Sequence, residues 1–292
     1  MTASLRALAL CLLLVPGSAW GLELVDQTGR VLTLPSPPRR IVSLVPSVTE
    51  IVFAIGAQDA LAGVTDFCDF PVEAKGKPSV GGMINPSLEA LVTLRPDLVV
   101  ATRSGNRAET FDQLKRLRLP VYLVDPISVE DVMRLVTALG ELTGHRDGAA
   151  AVTGDLERRM KMVEERVAGR RRPRTLYVLW PDPLIVPGRD ALVSELIARA
   201  GGESVTADQG AGYPRMSLEA AVARAPEVII LASHGGGTPV GRDKWERLES
   251  LPAVKSKRLY TADGSVMHRY GPRVVEGIES LARLIHPEAF VK

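Results

Sequence analysis

The chain has 292 residues, of which 46% are hydrophobic and 24% charged, and a net charge of +2. These are the proportions of an ordinary soluble globular protein, long enough for one large domain or two smaller ones. The near-neutral balance excludes any electrostatic argument for a nucleic-acid partner.

Arg6 precedes an apolar run from Ala7 to Val15, then Pro16 and a small-residue site ending Ala19-Trp20-Gly21. That pattern is a secretory signal peptide, predicted to be cleaved after Ala19 or Gly21. The run is too short for a bilayer, which needs roughly 20 apolar residues. No later segment qualifies, so a soluble, monomeric protein exported to the periplasm is expected. Cys11 has Leu12, Leu13 and Leu14 after it, where a lipobox cysteine would close the run, so lipidation is not expected. Removing the leader leaves Cys68 alone, without an internal disulfide partner; it is expected to be buried, reactive or a ligand contact.

Residues 22–35 alternate about a Gly turn and predict a hairpin, followed by a break at Pro35, Pro37 and Pro38. Residues 40–44 read as a buried strand, and Ser47-Val-Thr-Glu50 as a capping box opening a helix to Gly56. A strand at 61–65 and a loop at 66–71 come next. After Asn85-Pro86 the pattern gives a helix, a break at Pro96-Asp97 and a strand at 98–101. A helix is predicted over 107–117, a strand over 120–124 and a helix over 128–143. Residues 146–169 form one long, strongly charged helix, and the Arg170, Arg171, Arg172, Arg174 run after it reads as a solvated linker face. Strand 175–180, helix 190–200, a second helix–strand pair ending at 228–232, helix 243–250, strand 258–261 and helix 274–285 complete the chain.

Strand–helix alternation with continuous apolar strands predicts an α/β fold: two lobes with mostly parallel central sheets flanked by helices. The expected division is a signal peptide (1–21), an N-terminal lobe (22–145), a connecting helix (146–169) and a C-terminal lobe (170–292). A single long helix is a poor hinge, so the lobes should keep a nearly fixed separation with a cleft between them. Residues 87–100, SLEALVTLRPDLVV, recur as SLEAAVARAPEVII at 217–230, with six identical positions and four close exchanges. Each copy puts a glutamate early in a helix, Glu89 and Glu219. A carboxylate there suits the helix dipole, and its recurrence also suits a docking device.

Several local patterns carry a resemblance: Arg40-Ile-Val-Ser-Leu44, Pro46-Ser-Val-Thr-Glu50, Asn85-Pro-Ser-Leu-Glu89 through Leu98, Trp245 with Leu251-Pro-Ala-Val254, and Gly271-Pro-Arg273. Over about residues 38–286 the chain resembles the helical-backbone periplasmic substrate-binding proteins of ABC importers for vitamin B12, haem and iron–siderophores. The likeness to the B12-binding members is strongest. It implies a corrinoid as transported ligand, no catalytic cofactor and no enzymatic activity. It also implies that Glu89 and Glu219 pair with arginines of the membrane permease. Carried over by position, it places Pro46, Phe67, Trp180, Tyr213, Asp263 and Arg269 around the ligand, where aromatic faces and a few polar groups suit a macrocycle rimmed with amides. Trp245 is assigned to the core. Two departures bear on the ligand: the stretch Val80–Pro86 is two residues longer than in those proteins and lacks an aromatic, and the Asp263–Arg269 spacing is two residues longer. Cys68, Met267 and His268 are left as candidate contacts, with Cys68 and His268 as axial ligands to a chelated cobalt or iron. His145, His234 and His286 read as structural.

Two other classes stay in view. Ser233-His-Gly-Gly-Gly237 looks like the oxyanion segment of esterases, but the chain has no G-x-S-x-G elbow. A hydrolase built on Cys68, His268 and Asp263 lacks a supporting local signature. A binder of bare metal ions would need three or four clustered His and carboxylate ligands, and the histidines are too few and too scattered.

Overall fold

The computed structural model describes residues 22–233 and 241–291; the predicted signal peptide, His234 and Gly235–Gly237 lie outside them. The chain opens with an antiparallel hairpin, β1 (Leu22–Val25) and β2 (Val31–Leu34). It continues through β3 (Ile41–Ser43), α1 (Pro46–Ala54), β4 (Leu61–Val64), α2 (Leu88–Thr93), β5 (Leu98–Thr102), α3 (Ala108–Arg116), β6 (Val121–Val124) and α4 (Val129–Thr143). The long helix α5 (Arg146–Val167) follows. Then come β7 (Arg174–Val178), a short hairpin β8 (Trp180–Pro181) and β9 (Leu184–Ile185), α6 (Leu192–Arg199), β10 (Glu203–Ser204) and α7 (Leu218–Ala223). The order ends with β11 (Val228–Ser233), α8 (Arg242–Glu246), α9 (Pro252–Lys255), β12 (Leu259–Asp263), α10 (Gly264–Met267) and α11 (Val274–Ile285).

Two parallel sheets result, ordered β4-β3-β5-β6 and β10-β7-β11-β12, which is one topology used twice. Every residue of β5 and β11 is buried, because each strand has helices on both faces. In the first sheet Val42, Val99 and Ala101 face α2 and α3, while Ile41, Leu98 and Val100 face α1 and α4. In the second, Leu176, Ile229 and Leu231 pack with Trp245, which is 2% exposed and belongs to the core, while Tyr177, Val228 and Ile230 face α5, α6 and α11.

The duplicated segment explains why the two sheets match. Ser87 and Ser217 each cap a helix, their hydroxyls accepting from Ala90 N and Ala220 N at 3.2 and 3.1 Å. Each helix is followed by a residue with positive φ before a proline, Arg95 (46°) and Ala225 (42°). The acids after those prolines then grip the neighbouring strand. Asp97 accepts from Arg39 N and Arg40 N at 2.7 and 2.9 Å, and Glu227 accepts from Arg174 N at 2.9 Å.

The lobes share their cores. Ala149 of α5 packs with the first lobe, whereas Leu156, Met160, Val163 and Val167 pack with the second, together with Val129 and Val132 of α4. Each buried aliphatic is worth about 1.5–3 kcal/mol, so parting the lobes would expose a costly apolar surface.

Three local expectations change. The capping box is absent: Val45 is the N-cap, with no side-chain bond, and Pro46 takes the first helical position, where its missing N–H would have had no partner anyway. Ser47 and Glu50 are buried instead. The strand expected to reach Trp180 stops at Val178, and Trp180 stands in the short hairpin. The arginine run is anchored rather than only solvated. Arg171 pairs with Glu227 at 2.7 Å, and Arg172 donates to the carbonyls of Ala198 and Gly202 at the end of α6.

Candidate ligand-binding cleft

Parallel α/β sheets place their loops, and hence their ligand groups, at the carboxyl ends of the strands. Both sheets here turn those ends toward a common cleft of about 1070 Å³. The first lobe lines it with Val45, Pro46 and Ser47 after β3, Phe67 and Asp69 after β4, Thr102, Ser104 and Gly105 at the end of β5, and Pro126 after β6. The second lobe contributes Asp263, Ser265 and the run His268–Tyr270 after β12. Asp263 caps α10 by accepting from Ser265 N at 2.8 Å.

Of the expected ligand residues, Pro46, Phe67, Asp263, His268 and Arg269 line this cleft. Phe67 is 59% exposed. His268 presents an imidazole whose Nε2 lies 2.9 Å from the Tyr177 hydroxyl. Burial, then the charge of Asp263, pushes that phenol's pKa up, so it stays protonated beside the imidazole. Tyr213 does not line the cleft; it stands behind His268, ring edge to ring face at 6.5 Å. Burial and the neighbouring Tyr270 raise the Tyr213 hydroxyl as well.

Three candidates stand apart from the cleft lining. Cys68 is 3% exposed and packs in the first lobe's core, its sulfur 3.1 Å from Thr49 Oγ1 and 3.3 Å from Thr65 Oγ1. Its sulfur therefore faces the core and not the cleft. Met267 is 1% exposed in the second lobe's core. It adjoins His268 in sequence, but consecutive residues of a helical turn do not share a face. Trp180 is exposed on its hairpin, its Nε1 donating to the Asp182 carbonyl at 3.0 Å, and is not part of the cleft lining.

Sequence reasoning missed the charges beneath the cleft. Glu50, with a side chain 1% exposed, receives Arg269 Nη1 at 3.0 Å and Arg273 Nε and Nη2 at 3.0 and 2.8 Å. Arg269 Nη1 also donates to Asp69 at 2.6 Å, and Arg273 lies 4.1 Å above the Phe70 ring. Burial acts to raise the Asp69 carboxyl, but the hydrogen bond and charge of Arg269 outweigh it and hold it below its usual range. Gly271 lets this segment approach α1: a Cβ there would lie 3.2 Å from that of Ser47. The stretch before Pro86 contributes Met83 and Ile84 to the cleft, and Asn106 Nδ2 holds it by donating to the Met83 carbonyl.

Glu89 and Glu219 are exposed in the first turns of α2 and α7, one per lobe and outside the cleft lining. Bonds from its own backbone N–H and from Ser217 lower the pKa of Glu219. His145 Nδ1 lies 2.8 Å from the Thr143 carbonyl, and buried His286 bonds the Gly201 carbonyl. Among the described residues, no three His, Cys, Asp or Glu side chains form a metal-binding group, and no helix is long and apolar enough to cross a membrane.

Residues 41–266 match the family model described as periplasmic binding protein. The chain is 32% identical over 273 residues to an ABC transporter substrate-binding lipoprotein of Bacillus subtilis, covering 91% of this chain and 85% of that one. Its fold matches the periplasmic vitamin B12-binding protein of Vibrio cholerae with a TM-score of 0.76, at 25% identity, over 88% of this chain and 99% of that one. A periplasmic haem-binding protein from Pseudomonas aeruginosa matches with a TM-score of 0.77, at 25% identity, over 86% and 93%.

Proposed function

Because the chain belongs to the periplasmic binding protein family, we propose that it is the exported solute-binding protein of an ABC importer that captures a corrinoid, vitamin B12 or a precursor, between its lobes. The supporting observation is the cleft itself. Its volume of about 1070 Å³ stands at the upper end of the roughly 300–1,000 Å³ of small-molecule pockets. Phe67, Val45, Met83 and Ile84 offer apolar contact to a large flat ring, and Ser47, Ser104, Ser265 and Asp263 offer hydrogen bonds to amides at its edge. The protein binds and delivers; it does no chemistry.

Haem is the second reading, and His268 favours it, because an imidazole at the cleft wall is a natural axial ligand. An axial bond through Nε2 would replace its contact with Tyr177. Calorimetric and visible titrations with cyanocobalamin, cobinamide and haemin separate the two. Corrinoid binding is expected; tight haemin binding without it overturns the assignment. A metal-band shift that disappears in His268→Ala would assign the axial ligand.

The permease is the proposed protein partner, met by Glu89 and Glu219. Their exposure and equivalent positions on like-capped helices support this, and charges of this kind steer and register an encounter. Replacing both by Ala should leave ligand affinity intact and abolish transport in reconstituted vesicles. Unimpaired transport would refute the docking role.

A further inference from the structure

Among the described cleft-lining residues the charged side chains are Asp69, Asp263 and Arg269. An arginine facing a ligand ordinarily suggests recognition of a carboxylate. Here Arg269 Nη1 is already shared between Glu50 and Asp69. Glu50 cannot give way, because its side chain is 1% exposed and it neutralises Arg273 as well. Asp69 is different: its side chain is 50% exposed, and it stands on the cleft side of the same guanidinium. The four charges Glu50, Asp69, Arg269 and Arg273 cancel, and Asp263 then leaves the wall with an excess negative charge.

We propose that Asp69 sets the charge preference of the cleft: by occupying Arg269 it makes the site select a neutral, amide-rimmed macrocycle over a carboxylate-rimmed one. The inference rests on the reading of this cleft as a macrocycle site, and it names the chemistry of the ligand's edge. A ligand carboxylate meets Asp69 and Asp263 as like charges and must displace Asp69 to reach Arg269 Nη1, while Nη2 donates to the Phe67 carbonyl at 3.4 Å. An amide neither needs the cation nor is repelled by the acids.

The test uses two corrins with one ring: dicyanocobinamide, with amide side chains, and dicyanocobyrinic acid, whose side chains end in carboxylates. The wild-type protein should bind the amide form about 100-fold more tightly, and Asp69→Asn should shrink that ratio about tenfold, chiefly through tighter binding of the acid. Asp69→Ser serves as a second variant, with melting curves confirming that both fold. Equal wild-type affinities, or an unchanged ratio in both variants, overturn the proposal. If neither corrin binds but haem does, the corrinoid reading fails by itself, and haemin against its bis-amide decides the charge question: preference for the bis-amide supports the role of Asp69, and preference for haemin overturns it. If none of the four binds, both readings fall.

Discussion

Two polar clusters join the lobes, and they are built on opposite terms. Around Glu50, a buried carboxylate is matched by two arginines from the other lobe, so a charge removed from water is met on both oxygens. Around Arg199, the arrangement is reversed in sign and lies near solvent. One arginine of α6 meets Glu195 on its own helix, Glu130 of α4 and Glu164 of α5, while Glu195 also accepts from Val129 N at 3.1 Å. The acids there are 26–48% exposed. Both clusters span the interface, but only the first cannot lose a member to water. The difference teaches that lobe separation is held at the cleft-side cluster and merely trimmed at the other.

The largest effect should come from Glu50→Ala, which strands two partly buried arginines. A cost of about 3–5 kcal/mol is expected, read as a lower urea midpoint. Arg199→Ala should cost under about 1 kcal/mol, the range for solvent-screened pairs. Equal losses would show that burial is not what separates the clusters. Acid then sharpens the contrast. Burial alone would raise the Glu130 pKa, but its own backbone N–H and Arg199 lower it from 4.5. A carboxyl depressed in the folded state stabilises above its unfolded value and loses that contribution as pH falls through the folded one. The stability gap between wild type and Arg199→Ala should therefore be constant near neutrality and close below about pH 4.5; a gap that widens in acid would contradict the sign. The smallest effect concerns shape. With both clusters intact, small-angle scattering should show little compaction on ligand binding, and a change of the hinge-closure kind would break the fixed-separation reading.

The architecture was legible where the signal is local and repeated. The repeated segment with its early glutamates, the Pro96-Asp97 break and the apolar strands at 98–101 and 228–232 all lie within short windows. Glu50 was misread because Ser47 three residues before it fits a capping box equally well, and its true partners, Arg269 and Arg273, lie more than 200 positions away. Cys68 was open for a similar reason: beside its local neighbour Thr65, only the fold brings Thr49, 19 positions away, to its sulfur. The cleft was half legible. Phe67, Asp263 and Arg269 came from the resemblance and stand with His268 at or after strand ends, whereas Cys68 and Met267 beside them turn into the cores. Asp69 and Met83 gave no sign, since an acid in a loop and a methionine among glycines are ordinary surface residues until a second lobe faces them.

Gly271 has a further consequence. A Cβ there would land 3.2 Å from that of Ser47, so the lobes meet closely at this point as well as through the connecting helix. A methyl added there acts as a shim. It should press on Ser47, which lines the cleft, and stand 3.4 Å from the Glu50 carboxylate, so the mouth widens at the seat of the two lobes and the grip on a macrocycle loosens.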